Sequence, residues 1–227
     1  MIASNLTTGE RPVRIPAGRL VLQGTLAWPE HPSGLVLFAH GSGSGRFSTR
    51  NQWVARRLRA SGVATLLFDL LSEEESADRA RVFDIRLLAD RLLTATEWTA
   101  RQPEVKGRPV GYFGASTGAA AALTAAAQPV VPIQAVVSRG GRPDLAGEAL
   151  PRVTAPTLLI VGSRDVTVLE LNRQALHRLT CEKRLVVVPG ATHLFEEPGT
   201  LEEVGQWAAE WFVHHLAMEP TWHRAER

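Results

Sequence analysis

Three residues of the types that together carry out nucleophilic acyl transfer stand far apart along the 227-residue chain: Ser116, Asp165 and His193. A serine hydroxyl is a weak nucleophile until an imidazole takes its proton. The imidazole in turn needs a carboxylate to fix its tautomer and stabilise the imidazolium. Each of the three comes at or just past the end of an apolar run. Ser116 lies within P-V-G-Y-F-G-A-S-T-G-A-A-A-A (109–122), Asp165 closes P-T-L-L-I-V-G-S-R-D (156–165), and His193 closes K-R-L-V-V-V-P-G-A-T-H (183–193). Around the serine the order of residue types predicts strand, tight turn and helix. Val110, Tyr112 and Phe113 suit a buried strand, and Ala115 and Ala119 to Ala122 suit a helix that packs closely. Gly114 and Gly118, two residues before and two after Ser116, remove side chains where strand and helix backbones pass each other. The turn pushes the hydroxyl outward, and the amide of Thr117 then points at developing negative charge from a helix N-terminus.

Each piece also has a plainer reading. G-x-S-x-G strings arise by chance in chains rich in glycine and alanine. Asp165 suits an N-cap for a helix near Val168, Asp144 is a rival acid after Pro143, and an isolated histidine is more often a surface or core residue. The order Ser, Asp, His at three strand ends weighs toward one site.

The elements that must position these residues alternate in type. Residues 19–28 read as an antiparallel edge strand, and 35–39 and 63–71 as strands buried on both faces, the second ending near Asp69. Residues 53–62 have a helical apolar stripe, 79–101 read as one long amphipathic helix, and the acidic S-E-E-E-S stretch before it reads as a solvated loop. Further strands are expected at 133–139, 156–162 and 183–188, with helices at 168–179 and 200–216. Strands alternating with helices define an α/β fold with a mostly parallel central sheet flanked by helices, whose functional loops lie beyond the strand C-termini. Only residues 139–155 separate the strand after the nucleophile helix from the next one. That is room for a short helix near 145–150 and no cap domain, so an open cleft for small, accessible substrates is expected.

Length bounds the chain to one domain, residues 1–227, with a core over about 20–217 and a polar tail at 219–227. Lys plus Arg number 25 against 23 for Asp plus Glu, a near-balance that gives no reason to expect a nucleic-acid partner. The single cysteine, Cys181, has no partner for an internal disulfide and cannot build a cysteine-rich metal site, so no metal or cofactor is expected. The N-terminus has no signal-peptide pattern and no apolar window is long enough to span a bilayer, so a cytoplasmic protein with no membrane partner is expected. A homo-oligomer is neither required nor excluded. Arg46, Arg139 and Arg142 each follow a strand end. They either recognise a carboxylate or phosphate on the substrate or serve as solvated or ion-paired loop residues.

G-A-S-T-G, G-S-R-D and G-A-T-H resemble the nucleophile elbow, acid loop and histidine loop of α/β-hydrolases, and H-G-S-G-S-G (40–45) resembles their oxyanion loop. The likeness is greatest to the dienelactone hydrolase-like branch and covers roughly residues 20–217. It implies a serine hydrolase that cleaves carboxylic esters of small molecules through an acyl-enzyme, with Ser116, Asp165 and His193 as catalytic residues and no cofactor. It further implies that the amides of Ser42 and Thr117 form the oxyanion hole, while Gly41 and Gly43 let the loop approach the substrate. Ser116 stands where dienelactone hydrolases carry cysteine. His40, beside that loop, is expected to shape it by hydrogen bonding.

Two other classes remain open at this level. The strand at 35–39, the glycine-rich 41–45 loop and a strand ending at Asp69 imitate a dinucleotide-binding unit. Arg46, however, stands where its last glycine belongs. A non-catalytic hydrolase fold that binds a ligand is the other.

Overall fold

Residues 8–217 are described by the computed structural model. Eight strands form one sheet in the order β1-β2-β4-β3-β5-β6-β7-β8. They are β1 (Gly9–Ala17), β2 (Leu20–Trp28), β3 (Gly34–Ala39), β4 (Val63–Phe68), β5 (Val110–Ala115), β6 (Ile133–Arg139), β7 (Thr157–Gly162) and β8 (Lys183–Val188). β1 and β2 run antiparallel to each other, β2 runs antiparallel to β4, and all remaining pairings are parallel.

The continuous apolar runs of β3 to β7 are explained by burial on two faces, because successive side chains point to opposite sides of a sheet. Leu35 and Leu37 of β3 and Leu66 and Phe68 of β4 enter one core. Their neighbours Val36, Phe38 and Leu67 enter the other. The first core is closed by α4 (Ile85–Thr99), α5 (Thr117–Ala126) and α6 (Val166–Arg178). The second is closed by α1 (Thr49–Ala60) and α7 (Thr200–His215), through Val54, Leu58, Val204, Ala208 and Phe212. Between β6 and β7 the chain makes only a 3-10 segment, Pro143–Arg152, and the described residues contain no cap domain.

Three local expectations are corrected. The strand at 20–28 is not the edge, because β1 pairs with its outer side over the full length. β1 carries Pro12 and Pro16, which an edge strand tolerates because proline cannot donate to a ladder, while Val13, Ile15 and Ala17 alternate inward. The long helix expected over 79–101 is broken: α3 (Arg79–Val82) ends at Phe83, and the Asp84 carboxylate accepts from the Leu87 amide, starting α4 afresh. The acidic stretch is not simply a solvated loop. It forms α2 (Glu73–Ser76) behind a Ser72–Glu75 capping box, and the buried Glu75 carboxylate accepts from Arg81 and Arg91, at 2.9 and 3.0 Å. The tail expected at 219–227 lies outside the described residues.

Candidate active site

At the end of β5 the chain turns into α5 through Ser116, which has φ 51° and ψ −124°. Non-glycine residues rarely adopt positive φ, and a strained one at a strand-to-helix junction marks a functional turn. The two flanking glycines make that turn possible. A Cβ on Gly118 would lie 2.1 Å from the carbonyl oxygen of Ala39, and one on Gly114 would lie 2.4 Å from Cα of Ala119.

Asp165 stands at the N-cap position of α6, yet its side chain makes no capping bond. It reaches instead to His193, whose Nδ1 lies 2.6 Å from Oδ2. The N-cap reading and the acid reading are thereby separated: the backbone of Asp165 begins the helix, and its carboxylate orients the imidazole. The histidine loop is fixed from several sides. The Thr192 amide donates to Glu197 Oε2 at 3.1 Å, the Gly190 amide donates to Ser163 Oγ at 2.8 Å, and the Arg164 amide donates to the Ala191 carbonyl at 2.9 Å. His193 and Ser116 line one cavity of about 230 Å³, with Asp165 behind the histidine.

The loop after β3 arrives opposite Ser116. Gly41 packs so closely that a Cβ there would stand 2.9 Å from Cβ of Ser116. The Ser42 amide donates to Thr117 Oγ1 at 3.0 Å, so the two residues expected to supply oxyanion donors are neighbours. The Thr117 amide opens α5, where helix geometry supplies no acceptor. Gly43, at φ 67°, lines a second cavity of about 330 Å³ on the other side of this loop, together with Leu71, Val82 and Leu88. The open cleft expected from the sequence is thus two cavities that share Gly41, Ser42 and Ser44.

His40 holds the loop in place. Its buried ring accepts from the Leu70 amide at Nε2, 3.0 Å, which leaves Nδ1 to donate to the Gly41 carbonyl, 3.0 Å. The bond from Leu70 needs the neutral ring, because a protonated Nε2 cannot accept, and burial holds its pKa below the ordinary value, against the opposing pull of Gly41 and Asp69. Between the folded and unfolded values the unfolded chain binds more protons, so this contribution is complete above about pH 6.5 and is lost as the pH falls toward the folded value. His215, also lowered mainly by burial, acts in the same sense. The thermal midpoint should therefore drop between pH 7.5 and 5, with a shallower drop in His40→Gln. Equal slopes in calorimetric scans of the two proteins would remove His40 as a source.

The three arginines at strand ends separate. Arg139 is buried and lines the cavity with Ser116 and His193. Arg46 does not reach it. Asp69 accepts from both the backbone amide and the guanidinium of Arg46, and that guanidinium lies 4.2 Å from the centre of the Phe47 ring. Arg142 is turned away by a bidentate pair with Asp144, at 2.9 and 2.8 Å, which also accounts for the rival acid. Each has a carboxylate within reach of its own loop, and that pairing was not visible as a pattern of spacing. Arg50 and Asn51 of α1 line the Ser116 cavity and were missed. They lie in the first turn of α1, which begins at Thr49, ahead of the helical stripe read from the sequence at 53–62.

The strand order, the strained serine between β5 and α5, and the acid and histidine after β7 and β8 define an α/β-hydrolase fold. A sequence model of the dienelactone hydrolase family matches residues 22–219, and the chain belongs to that family. It is similar to the crystal structure of a dienelactone hydrolase from Anabaena variabilis, with 54% identity and a TM-score of 0.89, covering 93% of this chain and 100% of that one. Est1E from Butyrivibrio proteoclasticus shares the fold at 18% identity and a TM-score of 0.78, over 91% and 99% of the two chains. A Mycobacterium tuberculosis H37Rv protein provisionally named a phosphoribosyl transferase is 61% identical over 204 residues. These are 90% of this chain but 46% of that protein, so the chain spans about half the length of the curated relatives it matches first.

No helix among the described residues is long and apolar enough to cross a membrane. Nor do the described residues contain a group of three or more His, Cys, Asp or Glu arranged to hold a metal ion.

Proposed function

We propose that this hydrolase cleaves carboxylic esters by acyl transfer to Ser116. The observation that carries the reading is the Asp165 carboxylate 2.6 Å from His193 Nδ1, with the histidine facing the cavity of the strained serine. Asp165 holds the tautomer in which Nδ1 carries the proton and Nε2 is free to accept. The Nε2 atom takes the Ser116 proton as Oγ attacks the ester carbonyl, then returns it to the leaving alkoxide. Water repeats the sequence to release the acid. The carbonyl oxygen gains charge near the amides of Thr117 and Ser42. For Ser42 to contribute, the Thr117 hydroxyl must yield its bond from that amide to the incoming oxyanion. The cavity lined by Leu71, Val82 and Leu88 suits the apolar arm of a small ester.

The dinucleotide reading would use the glycine-rich loop and an Asp69 open to a ribose. Asp69 is taken by Arg46, and the loop is spent on positioning against Ser116 and His40. The transferase name belongs to a protein of which this chain matches less than half, and the hydrolase fold accounts for the matched part.

A fluorophosphonate probe should label the protein stoichiometrically, with the modified peptide containing Ser116. Asp165→Asn should slow labelling by roughly 10³ or more, since the imidazole then settles in the wrong tautomer. Labelling that occurs elsewhere, or that is unaffected by Asp165→Asn, would remove the mechanism.

A further inference from the structure

The cavity in front of Ser116 carries unbalanced positive charge. Arg139 enters it from the end of β6 and is 7% exposed, yet no carboxylate among the described residues pairs with it. Its Nε has no acceptor, and its one side-chain hydrogen bond is a long one to Asn51 Oδ1, at 3.4 Å. A buried guanidinium with unmet donors is costly unless something else satisfies it in the working state. Burial and, secondarily, Arg50 push its pKa down to about 10, which still leaves it charged at neutral pH.

Arg50 lines the same cavity from the first turn of α1, a 12-residue helix. Its Nη1 donates to Glu196 at 3.2 Å, but Glu196 is 64% exposed and does not line the cavity. The first turn of α1 contains no acidic residue and its N-cap is Ser48. Ser48 Oγ accepts from the Asn51 amide at 3.3 Å and keeps its own O–H to donate, and the helix end adds its dipole to the same region. Ser44 and Ser48 also line the cavity, whose lining includes no aspartate or glutamate.

These groups differ from what a single carboxylate needs. A carboxylate brings one charge and two oxygens, whereas a phosphate monoester brings nearly two charges and three terminal oxygens. Two guanidiniums, two hydroxyls and a helix N-terminus around a cavity of about 230 Å³ match the second. We infer that the cavity formed by Arg139, Arg50, Ser44 and Ser48 is a phosphate subsite, and that the ester cleaved at Ser116 carries a phosphate monoester on the arm that enters beside α1. The substrate class rests on the acyl-transfer reading of Ser116. The phosphate subsite does not.

Inorganic phosphate is the probe, with acetate as the carboxylate control at constant ionic strength. Phosphate should compete with a neutral aryl ester and slow fluorophosphonate labelling of Ser116, binding about tenfold or more tightly than acetate. Titration calorimetry reads the same binding without turnover. Arg50→Gln and Arg139→Gln should each weaken phosphate about tenfold or more. Arg50 lies on a helix surface, so Arg50→Gln decides the matter if the buried Arg139 variant does not fold. Acetate binding as tightly as phosphate, or phosphate binding unchanged in Arg50→Gln, overturns the subsite. Calorimetric phosphate binding that is lost in Arg50→Gln while Ser116 resists labelling would leave the subsite standing and defeat the acyl-transfer reading instead.

Discussion

Ser116→Ala is expected to lower kcat toward a small activated ester by on the order of 10³ or more while leaving the fold intact. The size of the loss follows from the chemistry: without Oγ there is no acyl-enzyme, and only the amides and the cavity remain to aid direct attack by water. The stability expectation follows from the backbone. Ser116 sits at φ 51° and ψ −124°, and alanine occupies that conformation at a similar strain, since both residues carry a Cβ. The loop after β3 packs Gly41 against Ser116 Cβ, which alanine keeps, and is tied by His40, Asp69 and Thr117. Steady-state kinetics and a thermal melt on the same preparation check both halves. A variant that keeps its turnover, in a preparation free of contaminating esterase, would show that the nucleophile lies elsewhere.

The largest effect on stability is expected two residues further on. In Gly118→Ala the new Cβ would meet two backbone carbonyl oxygens, 2.1 Å from that of Ala39 and 2.5 Å from that of His40. Backbone atoms in a central strand cannot rotate aside as the tip of a long side chain can. α5 must therefore lift away from β3, opening the core in which Ala120 to Leu123 are fully buried. Overpacking of this kind costs on the order of 3 kcal/mol, which for a chain of this size lowers the melting temperature by about 6–12 °C. Activity should fall as well, because α5 carries the Thr117 amide and the strained turn. The two variants thus have opposite signatures: Ser116→Ala loses turnover at constant stability, and Gly118→Ala loses stability first. A melting temperature unchanged in Gly118→Ala would mean that β3 and α5 are not in backbone contact.

The proposed mechanism and the two cavities also divide the work of recognition. The larger cavity has an apolar wall from Leu71, Val82 and Leu88, and the smaller one has Arg50 and Arg139. The loop that carries Gly41, Ser42 and Ser44 lines both, so the Ser42 amide stands where the two cavities meet. His40 and Asp69, which fix that loop, therefore shape both cavities, although neither lines the smaller one with Ser116.

Much of this was legible in the chain because it depends on short-range signals. The elbow declares itself through two glycines at fixed offsets from a serine. The buried strands declare themselves through unbroken apolar runs, and the acid and histidine through their place just after such runs. These features report what a residue's immediate neighbours allow, and the order of strands and helices then leaves few ways to form a sheet.

What only the folded molecule decided concerns partners distant in the chain. No spacing rule tells that Arg46 will meet Asp69, or that Glu75 will be covered by Arg81 and Arg91. Nor does one tell that Arg139 will be left without a carboxylate among the described residues, facing a helix that begins some ninety residues earlier. Arg46, Arg139 and Arg142 look alike as residues that follow strands. Their charges are neutralised or stranded according to which loop packs beside them, because an ion pair acts over a few ångströms and is indifferent to separation along the chain. The sequence thus determined the sheet and the three residues set at its rim, through local geometry. The sheet's closure against α1 decided which cation stands before the serine, because that depends on distances that exist only once the chain has folded.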